Sequence, residues 1–170
     1  VYNPQTHKFD VPIKIFDPNY TFNNRCFIDQ SNKLWAVTPL SLRRYNSSTL
    51  ALEDSIPMQG FSPTYFFMQA NGILWLAGNR QIALYDTHTH KFKETPQALR
   101  SHPLLLHANV NYIHPYGSNS LLLNTDQQGM FLYNYVEEYM IHQSENGFPF
   151  EVPHFKISTM FTDSQKNLWI

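Results

Sequence analysis

One phrase constrains this chain more than any other feature: Ile28-Asp29-Gln30-Ser31-Asn32-Lys33-Leu34-Trp35, with Thr38 three residues after the Trp and Tyr45 ten after it. It returns forty residues later as Asn71-Gly72-Ile73-Leu74-Trp75, again with a small residue, Gly78, at plus three and Tyr85 at plus ten. The last ten residues, Phe161-Thr162-Asp163-Ser164-Gln165-Lys166-Asn167-Leu168-Trp169-Ile170, restate the first version almost residue for residue. Between them, Leu121-Leu122-Leu123-Asn124-Thr125 with Gly129 and Tyr133 is a degenerate copy in which Leu122 takes the Trp place. A fixed period of roughly 40 to 48 residues signals a repeat architecture.

Composition narrows the function classes. The net charge is -1, and no basic run breaks the balance, so the electrostatic footprint of a nucleic-acid or anionic-membrane binder is missing. No apolar stretch approaches the roughly 18 residues that a membrane helix requires. Cys26 is the only cysteine, which excludes an internal disulfide, and its apolar neighbourhood predicts a small buried side chain. Thirteen Phe, ten Tyr and three Trp against six Gly suit strands packed face to face.

The chain is expected to open inside a unit. Tyr2-Asn3-Pro4-Gln5-Thr6-His7-Lys8-Phe9 matches Tyr85-Asp86-Thr87-His88-Thr89-His90-Lys91-Phe92, so the first residues correspond to the end of a repeat. Phe9, Val11, Ile13 and Ile15 alternate with other residues at a period of two, which predicts a strand; Pro12 and Lys14 place it at a sheet edge. The first whole unit is expected to form strands over 24–29, 34–38, 42–46 and 49–56. The second is expected over 64–69, 73–78, 81–86 and 91–95, and the third over 110–114, 120–125, 129–135 and 138–143. Polar turn clusters separate them: Asn71-Gly72, Asn46-Ser47-Ser48, Asp86-Thr87-His88 and Asp126 to Gly129. Only 97–107 offers a helical turn, and Pro103 interrupts it.

Four short strands per repeat predict an all-β fold, a β-propeller of four-stranded antiparallel blades, in which each twisted sheet buries its neighbour's face. On this reading 1–18 is the end of a blade, 22–57, 63–97 and 109–143 are whole blades, and 155–170 starts a further one. Head and tail either complete a fourth blade together or belong to a longer ring, of which this is an incomplete segment; the second is the expectation. The recurring Trp35, Trp75 and Trp169 are expected in the core.

These residues carry a resemblance. An Asp, a polar turn, Leu-Trp, a small residue or Thr, then Tyr followed by Asn or Asp resembles the two-component regulator propeller repeat of hybrid histidine kinase/response regulator proteins from Bacteroides-type bacteria. Asp29/Leu34/Trp35/Thr38/Tyr45 and Asp163/Leu168/Trp169 fit best. Leu74/Trp75/Gly78/Tyr85 fits with Gln69 in the Asp place, and the third copy departs furthest. The resemblance implies a periplasmic sensor region of an inner-membrane protein. Its implied ligand is an oligosaccharide released from glycans, and its implied partners are the rest of the sensor chain and a second copy in a homodimer.

The search for chemistry is nearly empty. His88-Thr89-His90 is the closest histidine pair, yet His90 aligns with His7 in the equivalent hairpin and no third ligand recurs, so neither a metal nor another cofactor is expected. No Gly-x-Ser-x-Gly elbow or phosphate-cradling loop occurs, and Glu137-Glu138 reads as a solvated hairpin. Binding is expected at the loops of one end, where irregular backbone on a rigid scaffold carries function. The candidates are Asn24, Arg25, Tyr65, Arg80, Gln81, Asn109, Tyr112 and Asp126, a mixture suited to stacking on sugar faces and bonding hydroxyl or acidic groups. Catalysis is not expected of this segment. The competing readings are a propeller hydrolase or lyase acting on polysaccharide and a protein-interaction propeller.

Overall fold

The two ends of the repeated phrase turn out to be two turn caps. In a computed structural model, which describes residues 2, 3, 5, 8, 9, 25–58, 60–152, 157 and 159–170, Asp29 ends one strand and Lys33 begins the next. Asp29 N–H donates to the Lys33 carbonyl at 3.0 Å, Asn32 N–H donates to the Asp29 carbonyl at 3.0 Å, and Asn32 takes the left-handed conformation with φ 58°. The same three features recur at Gln69–Ile73 with Gly72 at φ 83°, and at Asp163–Asn167 with Lys166 at φ 67°. This is a three-residue hairpin loop closed by a left-handed residue. The Asn or Asp after each conserved Tyr caps the other hairpin. Asn46 Oδ1 accepts from Ser48 and Thr49 N–H, Asp86 Oδ1 from His88 and Thr89, and Asn134 Oδ1 from Val136 and Glu137, all between 2.8 and 3.1 Å.

The described residues fall into two units, 1–60 and 61–170. The first holds β1 (Tyr2–Asn3) paired with β2 (Lys8–Phe9), then a four-stranded antiparallel meander. Its strands are β3 (Arg25–Ile28), β4 (Lys33–Val37), β5 (Ser41–Asn46) and β6 (Leu52–Pro57). The second unit carries β7 (Tyr65–Met68), β8 (Ile73–Gly78), β9 (Gln81–Asp86) and β10 (Lys91–Lys93) as one meander. An insertion follows, with a short helix α1 (Gln97–Ser101) and a 3-10 turn (Leu105–His107) on either side of Pro103. Next come β11 (Val110–Tyr116), β12 (Ser120–Thr125), β13 (Met130–Asn134) and β14 (Tyr139–His142), again a meander. Last is the pair β15 (Phe161–Thr162) and β16 (Leu168–Trp169). The chain is therefore all-β, built of four-stranded antiparallel sheets.

Register bears out the alignment of the first residues with the second repeat. Tyr2 faces Phe9 and Asn3 faces Lys8, as Tyr85 faces Phe92 and Asp86 faces Lys91. The strand expected over 10–16 lies outside the described residues. Phe27 faces Trp35, Phe67 faces Trp75 and Phe161 faces Trp169, so the short opening strands pair alike in three repeats.

Within the second unit the sheets stack. Trp75, Ala77 and Leu84 pack against Ile113, Leu121, Leu123, Phe131 and Tyr133 of the next sheet, and Trp75 meets Tyr133 edge to face at 5.8 Å. The opposite face of that sheet, Leu122, Met130 and Leu132, packs on Ile157 and Met160 with Phe148 and Phe150 beside them. Because side chains alternate across a strand, burial on both faces requires an unbroken apolar run, and Leu121-Leu122-Leu123 supplies it. The opening strand β11 lies against β7 and β8. Among the described residues no helix is long and apolar enough to cross a membrane.

Two expectations are corrected. Cys26 is exposed rather than buried, because it stands on β3, the first strand of its sheet, opposite Ala36. Trp35 and Trp75 are buried at 0% and 2% exposure, but Trp169 is 54% exposed: β16 pairs with β15 alone among the described residues, so no third strand flanks its ring.

Candidate functional site

The most regular polar contact in the molecule is at the indole nitrogens. Asp29 Oδ2 accepts from Trp35 Nε1 at 2.7 Å, Gln69 Oε1 from Trp75 Nε1 at 3.1 Å, and Asp163 Oδ2 from Trp169 Nε1 at 2.9 Å. A residue six places before each Trp thus serves both the turn and the ring. In the third copy Leu122 has no N–H to satisfy, and Tyr116 stands in the acceptor's place. In the first repeat Phe27 stacks on Trp35 with centroids 6.4 Å apart, and the Arg44 guanidinium lies 5.7 Å from the Trp35 ring. This clamp is structural, so ligand contact has to be sought at the loops.

The second unit brings five of the expected residues into two contacts at the start of its sheets, and leaves Gln81 beside them. Asn79 and Arg80 form the two-residue loop between β8 and β9, both left-handed at φ 48° and 58°. That conformation suits Asn-Gly better than Asn-Arg. Arg80 N–H donates to Asn109 Oδ1 at 2.9 Å across 29 residues of sequence. Asn109 in turn donates its backbone N–H to Asp126 Oδ1 and its amide to Asp126 Oδ2, both at 2.9 Å. Partial burial pushes the Asp126 carboxyl up. The Asn109 bonds and the nearby Arg80 charge outweigh that and hold it below the usual carboxylate range. Asp126 is thereby engaged as a brace between the loops and is poorly placed to act as a base.

Tyr65 and Tyr112 form the second contact, with ring centroids 5.1 Å apart and planes tilted 35°. The Tyr112 hydroxyl donates to the Met160 carbonyl at 3.0 Å and lies 3.3 Å from Thr159 Oγ1, which fixes the ring. Gln81 is exposed opposite Gly78. Arg80, Gln81, Leu99, Leu105 and Leu106 line a cleft of 20 Å³, enough for about one water molecule and too small for a sugar ring. Arg25 begins β3 in the first unit, facing Val37, and Asn24 lies outside the described residues.

Sequence reading missed the polar groups of β11. Asn124 Nδ2 donates to Asn111 Oδ1 at 2.8 Å, and His114 Nε2 lies 2.8 Å from Thr162 Oγ1. Burial pushes the His114 imidazole down from its ordinary value. The available signal was Asn111 and His114 in a strand paired with three leucines. His88 and His90 stand exposed at the β9–β10 turn, and no three His, Cys, Asp or Glu among the described residues gather to hold a metal.

No protein-family model matches the sequence, and a search of the curated proteins returns no match. Solved structures do match. The extracellular domain ascribed to the hybrid two-component system BT3049 of B. thetaiotaomicron is 17% identical, with TM-score 0.64, over 99% of this chain and 22% of that one. The extracellular domain ascribed to the one-component system BT4673 of the same organism is 19% identical, with TM-score 0.70, over 99% of this chain and 23% of that one. A second structure of the BT4673 extracellular domain, ascribed there to a hybrid two-component system, is 16% identical, with TM-score 0.56, over 85% of this chain and 21% of that one. The chain shares their fold and spans less than a quarter of their length.

Proposed function

We propose that this chain is a stretch of a β-propeller in the periplasmic ligand-sensing ectodomain of an inner-membrane two-component signalling protein. It acts by binding an oligosaccharide from glycan breakdown rather than by catalysis. The observation that carries the reading is the fold likeness to extracellular domains of signalling systems over 99% of the chain. Face-to-face packing of successive meanders, with opening strands side by side, supports the radial arrangement.

The ligand-binding residues on this reading are Tyr65, Arg80, Gln81, Asn109, Tyr112 and Asp126 of the second unit; Arg25 and Asn24 are proposed for the first unit by itself. Tyr65 and Tyr112 offer ring faces to a sugar, Arg80 and Gln81 bond its acidic or hydroxyl groups, and the Asn109–Asp126 brace holds the loops in register. With a cleft of only 20 Å³ beside Arg80, the ligand lies across the surface instead of entering a pocket. A ligand then shifts the arrangement of paired sensor chains through its different affinity for the two states.

The test is calorimetry of the full ectodomain against oligosaccharides released from plant and host glycans. Binding by one class, weakened at least tenfold by Arg80→Ala and by Tyr112→Ala, is the expected result. No heat with any glycan refutes the sugar assignment, and cleavage of a polysaccharide refutes the assignment to sensing.

A further inference from the structure

The insertion between the second and third sheets is fastened around one ring. Phe131 is fully buried on β13, and two histidines touch it: His102 edge to face at 5.0 Å, and His142 at 4.9 Å. His102 closes α1 and accepts the Leu106 N–H on its carbonyl at 3.2 Å, which makes it the joint of the insertion. His142 is the last residue of β14.

The two rings are held differently. His142 Nε2 lies 2.7 Å from the Gln128 carbonyl oxygen, which can only accept, so Nε2 carries the hydrogen. Its Nδ1 lies 2.7 Å from Ser144 Oγ and 3.3 Å from Ser144 N, so the ring is fixed at both nitrogens. His102 Nδ1 is buried with no hydrogen-bond partner among the described residues, so a proton there would create an orphaned buried donor.

The charged and titratable groups on the surrounding elements are few. Glu145, after β14, lies 4.0 Å from His102 Nε2 and favours the charged ring. Arg100 on α1 is engaged by Glu94 at 2.9 Å and Gln97 at 3.1 Å. His107 sits on the 3-10 turn, and β13 contributes only the neutral phenol of Tyr133.

We propose that His102 is an acid-sensitive latch on the ring that His142 also packs against: neutral, it holds residues 97–107 on the third sheet, and protonated, it releases that segment. Burial, reinforced by the charge of His142, outweighs Glu145 and holds His102 below the ordinary imidazole range. The closed state therefore binds fewer protons than the open one, and closure weakens as pH falls through the ordinary histidine value of about 6.5. Leu99, Leu105 and Leu106 of this segment line the cleft beside Arg80 and Gln81, and Asn109 follows two residues after the 3-10 turn. Release thus loosens the loops joined through Asn109, Arg80 and Asp126.

Hydrogen exchange of the intact chain, corrected for intrinsic rates and compared at pH 7.5 and 5.0, tests the latch. Protection of amides 99–108 is expected to fall about threefold or more, while β12 and β13 keep theirs. His102→Gln is expected to abolish most of the pH dependence, and Glu145→Gln to enlarge it by removing the charge that favours the imidazolium. Unchanged protection of the wild-type chain at pH 5.0 overturns the proposal. So does loss spread equally over β12 and β13, or full pH dependence in a folded His102→Gln chain.

Discussion

The clamp on the indole N–H occurs in three settings, two with Asp and one with Gln, and removing each acceptor should cost what its setting dictates. Asp29→Ala deletes the acceptor of Trp35 Nε1 at 2.7 Å while that indole remains fully buried. It also deletes the acceptor that Ser31 N–H and Lys33 N–H use at 2.8 and 2.9 Å. Leaving a buried donor without its charged partner costs about 1–3 kcal/mol, and loss of the turn bonds, partly replaced by water, adds about 1 kcal/mol. The expected total is about 2–4 kcal/mol. Gln69→Ala removes a neutral acceptor at 3.1 Å from the buried Trp75, and about 1–2 kcal/mol is expected. Asp163→Ala should cost only the turn bonds to Gln165 and Asn167 N–H, about 1 kcal/mol, since water can reach the 54% exposed Trp169. Urea unfolding, with exchange of each indole N–H as the local readout, supplies the comparison. A double-mutant cycle of Asp29→Ala with Trp35→Phe should give a coupling of about 1.5–3 kcal/mol. Equal losses at Asp29 and Asp163, or a coupling near zero, would refute the assignment of the motif's acid to the indole.

Other perturbations follow the same geometry. In Gly78→Ala the new Cβ would lie 2.4 Å from the Ser62 carbonyl oxygen and 2.7 Å from Thr64 N, both backbone, so a loss of about 1–3 kcal/mol is expected by thermal unfolding. Gly60→Ala meets nothing within 4 Å and loses about 1 kcal/mol through its φ of +84° alone. Leu122→Trp does not restore the motif: Leu122 is fully buried and neither a carboxylate nor an amide stands six residues earlier, so it destabilises by about 1–3 kcal/mol in the same assay. Burial, and secondarily Glu138, push the Tyr133 phenol up to about 12. The fold holds that proton more tightly than the unfolded chain, so stability is lost as pH rises from about 10 towards 12. Ultraviolet titration should show Tyr133 ionising only with unfolding, and Tyr133→Phe should make the chain less sensitive to alkali.

The sequence by itself determined everything whose partners lie within a few residues. Asp29, Asn46, Asp86, Asn134 and Asp163 each satisfy backbone donors two to four positions away, so their spacing marked the hairpins and the limits of the strands. The interrupted helix at 97–107 was legible for the same reason, since Pro103 acts on its own turn. Tertiary structure decided the rest, because burial depends on what a sheet is stacked against. One motif leaves Trp35 hidden and Trp169 half open, and an apolar neighbourhood in sequence left Cys26 facing solvent. The bond from Arg80 to Asn109, the Tyr65–Tyr112 contact and the packing of His102 on Phe131 join residues 29, 47 and 29 apart. No local pattern encodes such neighbours: they are set when one sheet's side chains pack against the next.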